Sequence, residues 1–100
     1  MTDLGEEIER IRLRIVGRVQ GVGYRHFIRS RARSLELRGW VRNEDDGSVV
    51  VEAKGLKASI DALVRSAAAG PRGARVDSVS REPFAGSREL MGPFEVRYLD

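Results

Sequence analysis

The chain has 100 residues, which is enough for one domain with a single core of modest size. It contains no cysteine, and this excludes a disulfide framework, a thiolate nucleophile and a thiolate metal site. Charged residues interrupt every apolar run, and residues 1–9 are acidic with no signal-peptide core, so we expect a cytoplasmic protein with no membrane partner.

The net charge of +3 conceals an asymmetry. Residues 1–9 hold four acids and no Lys or Arg, whereas the other 91 residues carry +7, from 18 basic and 11 acidic side chains. Such an excess of positive charge favours an anionic substrate or nucleic acid. Sixteen of the 18 basic residues are arginines, however, and genome composition or adaptation to heat explains that bias more simply. The net charge alone therefore does not distinguish an anionic substrate from nucleic acid as the binding partner.

The first predicted strand covers residues 10–16. Ile11, Leu13 and Ile15 lie on one face and arginines lie on the other, as in a strand with one buried face. This pattern is typical of a sheet that helices cover on one side only. Residues 1–9 are interpreted as a flexible acidic N-terminal extension, and residues 10–100 as the folded domain.

A glycine-rich loop separates this strand from a predicted helix. Residues 17–25 read Gly-Arg-Val-Gln-Gly-Val-Gly-Tyr-Arg, and the helix over residues 24–35 places Tyr24, Ile28, Ala32 and Leu35 on one apolar stripe. Such a loop can turn several backbone N–H groups toward one point beside the positive end of the helix, which forms a cradle for an anion. The spacing matches neither a dinucleotide-binding loop nor a Walker loop. The glycines alone fit an ordinary tight turn equally well.

Arg25 favours the anion cradle over the plain turn. A cation in the first helical turn opposes the helix dipole at a cost of about 0.3–1 kcal/mol. An anion bound between the two would offset this cost, and a guanidinium can grip two phosphoryl oxygens. The first hypothesis is therefore a site that binds a phosphoryl group and acts on it. The arginines farther along the helix, at positions 29, 31 and 33, are interpreted as a solvated face.

A hairpin follows, with strands at residues 39–43 and 48–53 and a turn between them. Lys54-Gly55 is predicted to end the second strand. Asn43 lies at the end of the first strand, where asparagine is common as a turn residue, although it could also hydrogen-bond a water molecule. The acidic run at residues 44–46 favours a solvated turn over a metal site, because the side chains of neighbouring carboxylates usually diverge.

The remaining pattern predicts a helix over residues 56–69, a strand over 76–81, a loop over 83–93 and a strand over 94–99. The order is β-α-β-β-α-β with one further short strand at the end. We expect an α+β ferredoxin-like sandwich with two helices on one face of an antiparallel sheet.

The chain offers little for acid–base catalysis. His26 is the one histidine, and on a helix its side chain would point about 100° away from that of Arg25, so it is interpreted as a surface residue. No cluster of His, Asp and Glu has metal-ligand spacing. A phosphoryl reaction here would need a substrate whose leaving group is already a weak base.

Two segments make the chain resemble the acylphosphatases. Residues 15–25 are similar to the first signature of that family, and Gly39-Trp40-Val41-Arg42-Asn43 with the glycines at 47 and 55 is similar to the second. Tyr24 departs from the stricter pattern, which has Phe or Met at that position. The resemblance extends from about residue 10 to the C-terminus.

The resemblance implies hydrolysis of acyl phosphates to a carboxylate and inorganic phosphate, without metal or cofactor. A monomer is the default expectation. It implies that Arg25 binds the phosphate and that Asn43 positions the attacking water. The cradle would be the backbone N–H groups of the segment Gln20, Gly21, Val22, Gly23 and Tyr24. The sequence leaves two other functions open: a binding module that uses the cradle without catalysis, and RNA binding. The lack of an aromatic residue in the third strand argues against RNA.

Overall fold

The computed structural model describes residues 7–84, 90 and 92–98, and these form five strands and two helices. The elements in chain order are β1 (Ile8–Arg18), α1 (Tyr24–Ser34), β2 (Arg38–Asn43), β3 (Val49–Leu56), α2 (Lys57–Ala69), β4 (Arg75–Glu82) and β5 (Glu95–Arg97). Among the described residues, no helix is long and apolar enough to cross a membrane.

The strands form one sheet in the order β4-β1-β3-β2-β5. The pairs of β1 with β3, β1 with β4, and β2 with β3 are antiparallel, and β5 pairs with β2 in parallel. The element order and the ferredoxin-like α+β architecture are thus confirmed. The sheet is mixed rather than wholly antiparallel.

The main core lies between this sheet and the two helices. The predicted strand face of Ile11, Leu13 and Ile15 is buried there. From the predicted stripe of α1, Tyr24, Ile28 and Ala32 are buried, whereas Leu35 lies just past the end of the helix and is only partly buried. From α2, the buried residues are Ile60, Leu63 and Ala67. Burial of these apolar faces fixes the helices on one side of the sheet, and so fixes the direction in which α1 begins.

Two strands, β1 and β3, extend at least two residues beyond the bounds that the hydrophobic pattern predicts. β1 begins at Ile8 rather than Arg10, and β3 continues through Lys54-Gly55 to Leu56. The two extensions pair with each other, since Ile8 lies opposite Leu56 in the ladder. Both side chains are exposed, so backbone pairing rather than burial carries the strands this far. The last strand is shorter than the predicted 94–99, since β5 covers only Glu95–Arg97. Residues 1–6 of the predicted extension, and Leu99 of the predicted last strand, lie outside the described residues.

The last strand runs parallel to β2 because of where β4 ends. β4 runs antiparallel to β1 and finishes at the end of the sheet opposite the glycine loop. The chain then crosses to the other edge, where β5 runs back toward the loop end. This connection is not a hairpin, so no antiparallel pairing is imposed on β5.

The other face of the sheet is partly covered, whereas the sequence pattern predicted a face open to water. Trp40, Val50 and Leu90 form a second buried cluster, and Phe84 packs against it. Arg12 donates to the buried Glu52 carboxylate at 2.7 Å. Trp40, the aromatic residue of β2 on this face, is only 6% exposed and offers no platform for stacking a base.

Candidate active site

The loop between β1 and α1 takes its shape from two glycines. Gly21 has φ 75°, and Gly23 has φ 77° and ψ 17°, which is the left-handed helical region. A Cβ atom at either position would meet no atom within 4 Å. The glycines are therefore required for backbone conformation rather than for space, because side chains disfavour this region.

The loop leaves its backbone donors available. Within the described part of the chain, no residue accepts a hydrogen bond from the N–H groups of residues 20–24. The helix receives no side-chain cap from Gly23 and has no acidic residue in its first turn. The helix itself thus supplies no acceptor or counter-charge for its first N–H groups and the positive end of its dipole. A phosphate would supply both the missing acceptors and the missing charge.

Arg25 stands in the first turn of α1 and is half-buried. None of the carboxylates among the described residues pairs with it. Its Cζ atom instead lies 4.8 Å from the ring centroid of Tyr98, just beyond β5. The guanidinium is thus held by an aromatic ring and keeps its positive charge available at the end of the loop.

Asn43 closes β2 at the same end of the sheet. Its side-chain Oδ1 is buried and has no hydrogen-bond partner among the described residues. Leaving a buried acceptor without a partner usually costs about 1–3 kcal/mol, so such a group calls for an explanation. An acceptor in this state is suited to a water molecule or a ligand donor.

The side chain of Gln20 joins the loop to the hairpin that carries Asn43. Its Nε2 donates to the backbone carbonyls of Glu44 and Ser48, both at 2.9 Å. These carbonyls lie at the two ends of the turn that follows β2, where the N–H of Glu44 also donates to the Ser48 carbonyl at 2.9 Å. The amide of Gln20 therefore holds the two halves of the site in one position.

The acidic run at residues 44–46 builds this turn, but the side chain of Glu44 is only 16% exposed and so is not solvated as predicted. Glu44 pairs with Arg42 through two contacts of 3.2 and 3.1 Å. Asp46 accepts from the backbone N–H and the hydroxyl of Ser48, and these bonds hold the pKa of its carboxyl below the usual value. In the portion of the chain described, no group of three His, Cys, Asp or Glu residues could hold a metal ion.

Two further side chains near the helix start have structural roles. The Tyr24 side chain is buried and donates its hydroxyl to the Ala67 carbonyl at 2.7 Å, and burial raises the pKa of this phenol above its ordinary value. Only the backbone N–H of Tyr24 is thus available to the loop. His26 is exposed, and its Nδ1 lies 3.0 Å from an Arg29 nitrogen, as expected for a surface residue.

Comparison with known proteins identifies the family of the chain and its fold. The family model described as Acylphosphatase matches residues 11–96. This chain belongs to the acylphosphatase family. It is 54% identical over 89 residues to an acylphosphatase of Salinibacter ruber, covering 89% of this chain and 93% of that protein. It is 47% identical over 92 residues to an acylphosphatase of Anaeromyxobacter dehalogenans, covering 90% and 98%. The fold matches an acylphosphatase structure from Coxiella burnetii with a TM-score of 0.83 and 35% identity, covering 97% of this chain and all of that one.

Membership of this family makes the chain an acylphosphatase enzyme and supports acyl phosphate hydrolysis as its reaction. The structure brings the predicted loop, Arg25 and Asn43 to one end of the sheet. Sequence reasoning missed the side chain of Gln20, which it assigned only through its backbone, and it missed Tyr98. The alternation of Phe94, Val96 and Tyr98 was a signal for the latter, since it places the three on one face of the last strand.

Proposed function

We propose that the chain hydrolyses acyl phosphates at the β1–α1 loop, with the phosphoryl group held by loop N–H groups and Arg25 and the attacking water held by Asn43. The buried Oδ1 of Asn43, which has no hydrogen-bond partner among the described residues, is the observation that carries this assignment. This acceptor lies at the end of a strand beside the loop, whose backbone N–H groups make no hydrogen bond within the described part of the chain, and a bound water molecule could donate to it.

The phosphoryl group would enter the ring of donors between Gln20 and Tyr24. Its non-bridging oxygens accept from the backbone, and the positive end of α1 stabilises the charge. Arg25 contributes a planar pair of N–H donors, which suits bidentate binding of two phosphoryl oxygens. The site thus supplies charge stabilisation where a loose phosphoryl-transfer transition state needs it.

The Asn43 Oδ1 would accept one O–H of the water and so aim its oxygen at phosphorus. As the water oxygen bonds to phosphorus, the bond from phosphorus to the acyl oxygen breaks and its electron pair leaves on the carboxylate. A carboxylate is a weak base, because its conjugate acid has a pKa of about 4, so its departure needs no general acid. The water's proton passes to a phosphoryl oxygen of the substrate. This route needs no basic side chain, in keeping with the surface position of His26 and the ion pair that occupies Glu44.

The assay is hydrolysis of benzoyl phosphate, followed in the ultraviolet, by the intact chain and by two variants. Arg25→Ala is expected to lose measurable turnover, because one well-placed donor in such a site contributes about 10²–10³ in rate. Asn43→Ala is expected to lower kcat strongly while the inhibition constant of inorganic phosphate changes little. Arg29→Ala, on the same helix but outside the loop, serves as the control and should retain activity.

Turnover by Arg25→Ala at the level of the unaltered chain would remove that residue from the reaction. Loss of phosphate affinity in Asn43→Ala with kcat preserved would refute the water-positioning role. Inorganic phosphate is the reaction product, so its inhibition constant measures how tightly the site binds a phosphoryl group, separately from turnover.

A further inference from the structure

We propose that Tyr98 is a positioning residue that holds the Arg25 guanidinium over the phosphate loop. This inference rests on the proposed function, and it adds a third segment of chain to the site. The Cζ atom of Arg25 lies 4.8 Å from the centroid of the Tyr98 ring, within the range of a cation–π contact. Tyr98 lies beyond the part of the chain that the family model matches, which ends at residue 96.

The sheet register explains how Tyr98 reaches the site. β5 pairs in parallel with β2, with Val96 opposite Val41 and Arg97 opposite Arg42. The next residue on each strand is Tyr98 and Asn43, so both emerge at the same end of the sheet. Val41 and Val96 pack in the core beneath the helices. Because side chains alternate between faces, residues 43 and 98 return to the face on which α1 lies.

An aromatic ring holds a substrate-binding arginine in a way that a carboxylate cannot. Arg14 donates from Nε to the carboxylate of Glu82 at 2.9 Å, and this ion pair offsets its charge and occupies some of its N–H groups. A carboxylate at Arg25 would likewise compete with the substrate phosphate. The ring of Tyr98 interacts with the positive charge and leaves the N–H groups along the edge of the guanidinium for an anion.

The exposure of Tyr98 separates this role from core packing. Its side chain is 69% exposed, so the ring adds little to the buried core. An arginine in solvent samples many rotamers, and an anion must select one of them when it binds. A ring that already favours one rotamer of the arginine reduces the conformational entropy lost when the anion binds. The free energy of an exposed cation–π contact corresponds to a change of about two- to fivefold in affinity.

The test compares Tyr98→Leu, Tyr98→Phe and the unaltered chain. The measurements are kcat and KM for benzoyl phosphate, the inhibition constant of inorganic phosphate, and the NMR shifts of the Arg25 side-chain protons. Tyr98→Leu should lower kcat/KM by about two- to fivefold and weaken phosphate inhibition by a similar factor. Tyr98→Phe keeps the ring and should restore both values. The Arg25 protons should lose their ring-current shift in the Leu variant and retain it in the Phe variant.

Phe84→Leu is the matched control. The ring of Phe84 lies 4.1 Å from the Cζ of Arg10, which is the same kind of contact on the sheet face that the helices leave uncovered. Its replacement should leave kcat/KM and phosphate inhibition unchanged. Urea unfolding of each variant shows whether the chain remains folded under the assay conditions.

The outcomes also separate this inference from the proposed function. If Arg25→Ala is inactive while Tyr98→Leu matches the unaltered chain in kcat/KM and phosphate inhibition, the positioning role is wrong and the proposed function stands. If Tyr98→Phe is as impaired as Tyr98→Leu, the ring is not the important group and the inference is overturned. If Arg25→Ala retains full activity, the proposed function itself fails.

Discussion

Replacing Gln20 with alanine should uncouple the phosphate loop from the hairpin that carries Asn43. The change removes two hydrogen bonds, from Nε2 to the carbonyls of Glu44 and Ser48. Each such bond contributes about 0.5–1.5 kcal/mol net, so the pair contributes about 1–3 kcal/mol. Both carbonyls keep another donor, since Gly47 N–H donates to the first and Glu44 N–H to the second. Neither is left unsatisfied, and the loss of stability should lie in the lower half of that range.

The effect on activity should exceed the effect on stability. A displacement of about 1 Å between a reacting group and its partner can lower a rate by about 10²-fold. We therefore expect kcat/KM of Gln20→Ala to fall by about 10- to 100-fold. The assays are benzoyl phosphate hydrolysis and urea unfolding. Ser66→Ala is the control, because it removes one side-chain hydrogen bond, from Arg31 at 3.1 Å, between the two helices.

The variant Gln20→Glu tests the same hydrogen bonds through the pH dependence of stability. A carboxylate oxygen would replace the Nε2 donor opposite two carbonyl oxygens, so the folded state would favour the protonated acid and raise its pKa above the unfolded value of about 4.3. Stability from the protonated form is present below that value and is lost as pH rises through the folded-state pKa. The deficit should therefore grow toward neutral pH. A Gln20→Ala variant with unaltered kcat/KM would refute the role of Gln20 in holding the loop against the hairpin.

Three further predictions concern the loop and the hairpin. Asn43→Ala should lose turnover without losing stability in urea unfolding, because the Oδ1 that it removes has no partner among the described residues; a large loss of stability would contradict this. Gly23→Ala should lower the free energy of unfolding by about 1–2 kcal/mol, because alanine disfavours the left-handed region; an unchanged urea midpoint would count against it. Asp46→Ala should be less stable at neutral pH, since hydrogen bonds from Ser48 lower the pKa of Asp46. That stabilisation is present above the unfolded pKa of about 3.9 and is lost as pH falls through the folded value, so a deficit independent of pH would oppose the assignment.

Local pattern was sufficient to predict most of the fold. Alternation in β1 and the spacing of Tyr24, Ile28 and Ala32 in α1 identified their buried faces correctly, because burial of one face dominates both elements. The strand extensions to Ile8 and Leu56 could not be predicted in this way. Their side chains are exposed, and only the backbone ladder with a distant strand carries them.

In the candidate site, too, local features could be predicted and long-range contacts could not. The glycines and Arg25 follow one another in the chain, so the local sequence was sufficient to predict a glycine-rich loop beside a cation at the start of a helix. The contacts of Gln20 with residues 44 and 48, and of Tyr98 with Arg25, join segments distant in sequence. The Gln20 contacts depend on the pairing of β3 with both β1 and β2, which brings the β2–β3 turn beside the glycine loop. The Tyr98 contact depends on the parallel pairing of β5 with β2, and a hairpin pattern offers no sign of that pairing.

The most direct test of the phosphate site is a titration of the ¹⁵N-labelled chain with inorganic phosphate, followed by NMR. We expect saturable shifts at the amides of Gly21, Val22 and Gly23 and at the side chain of Arg25, and we expect Arg25→Ala to abolish them. Phosphate binding that leaves these amides unmoved, or that persists unchanged in Arg25→Ala, would contradict the assignment of the loop as the phosphate site.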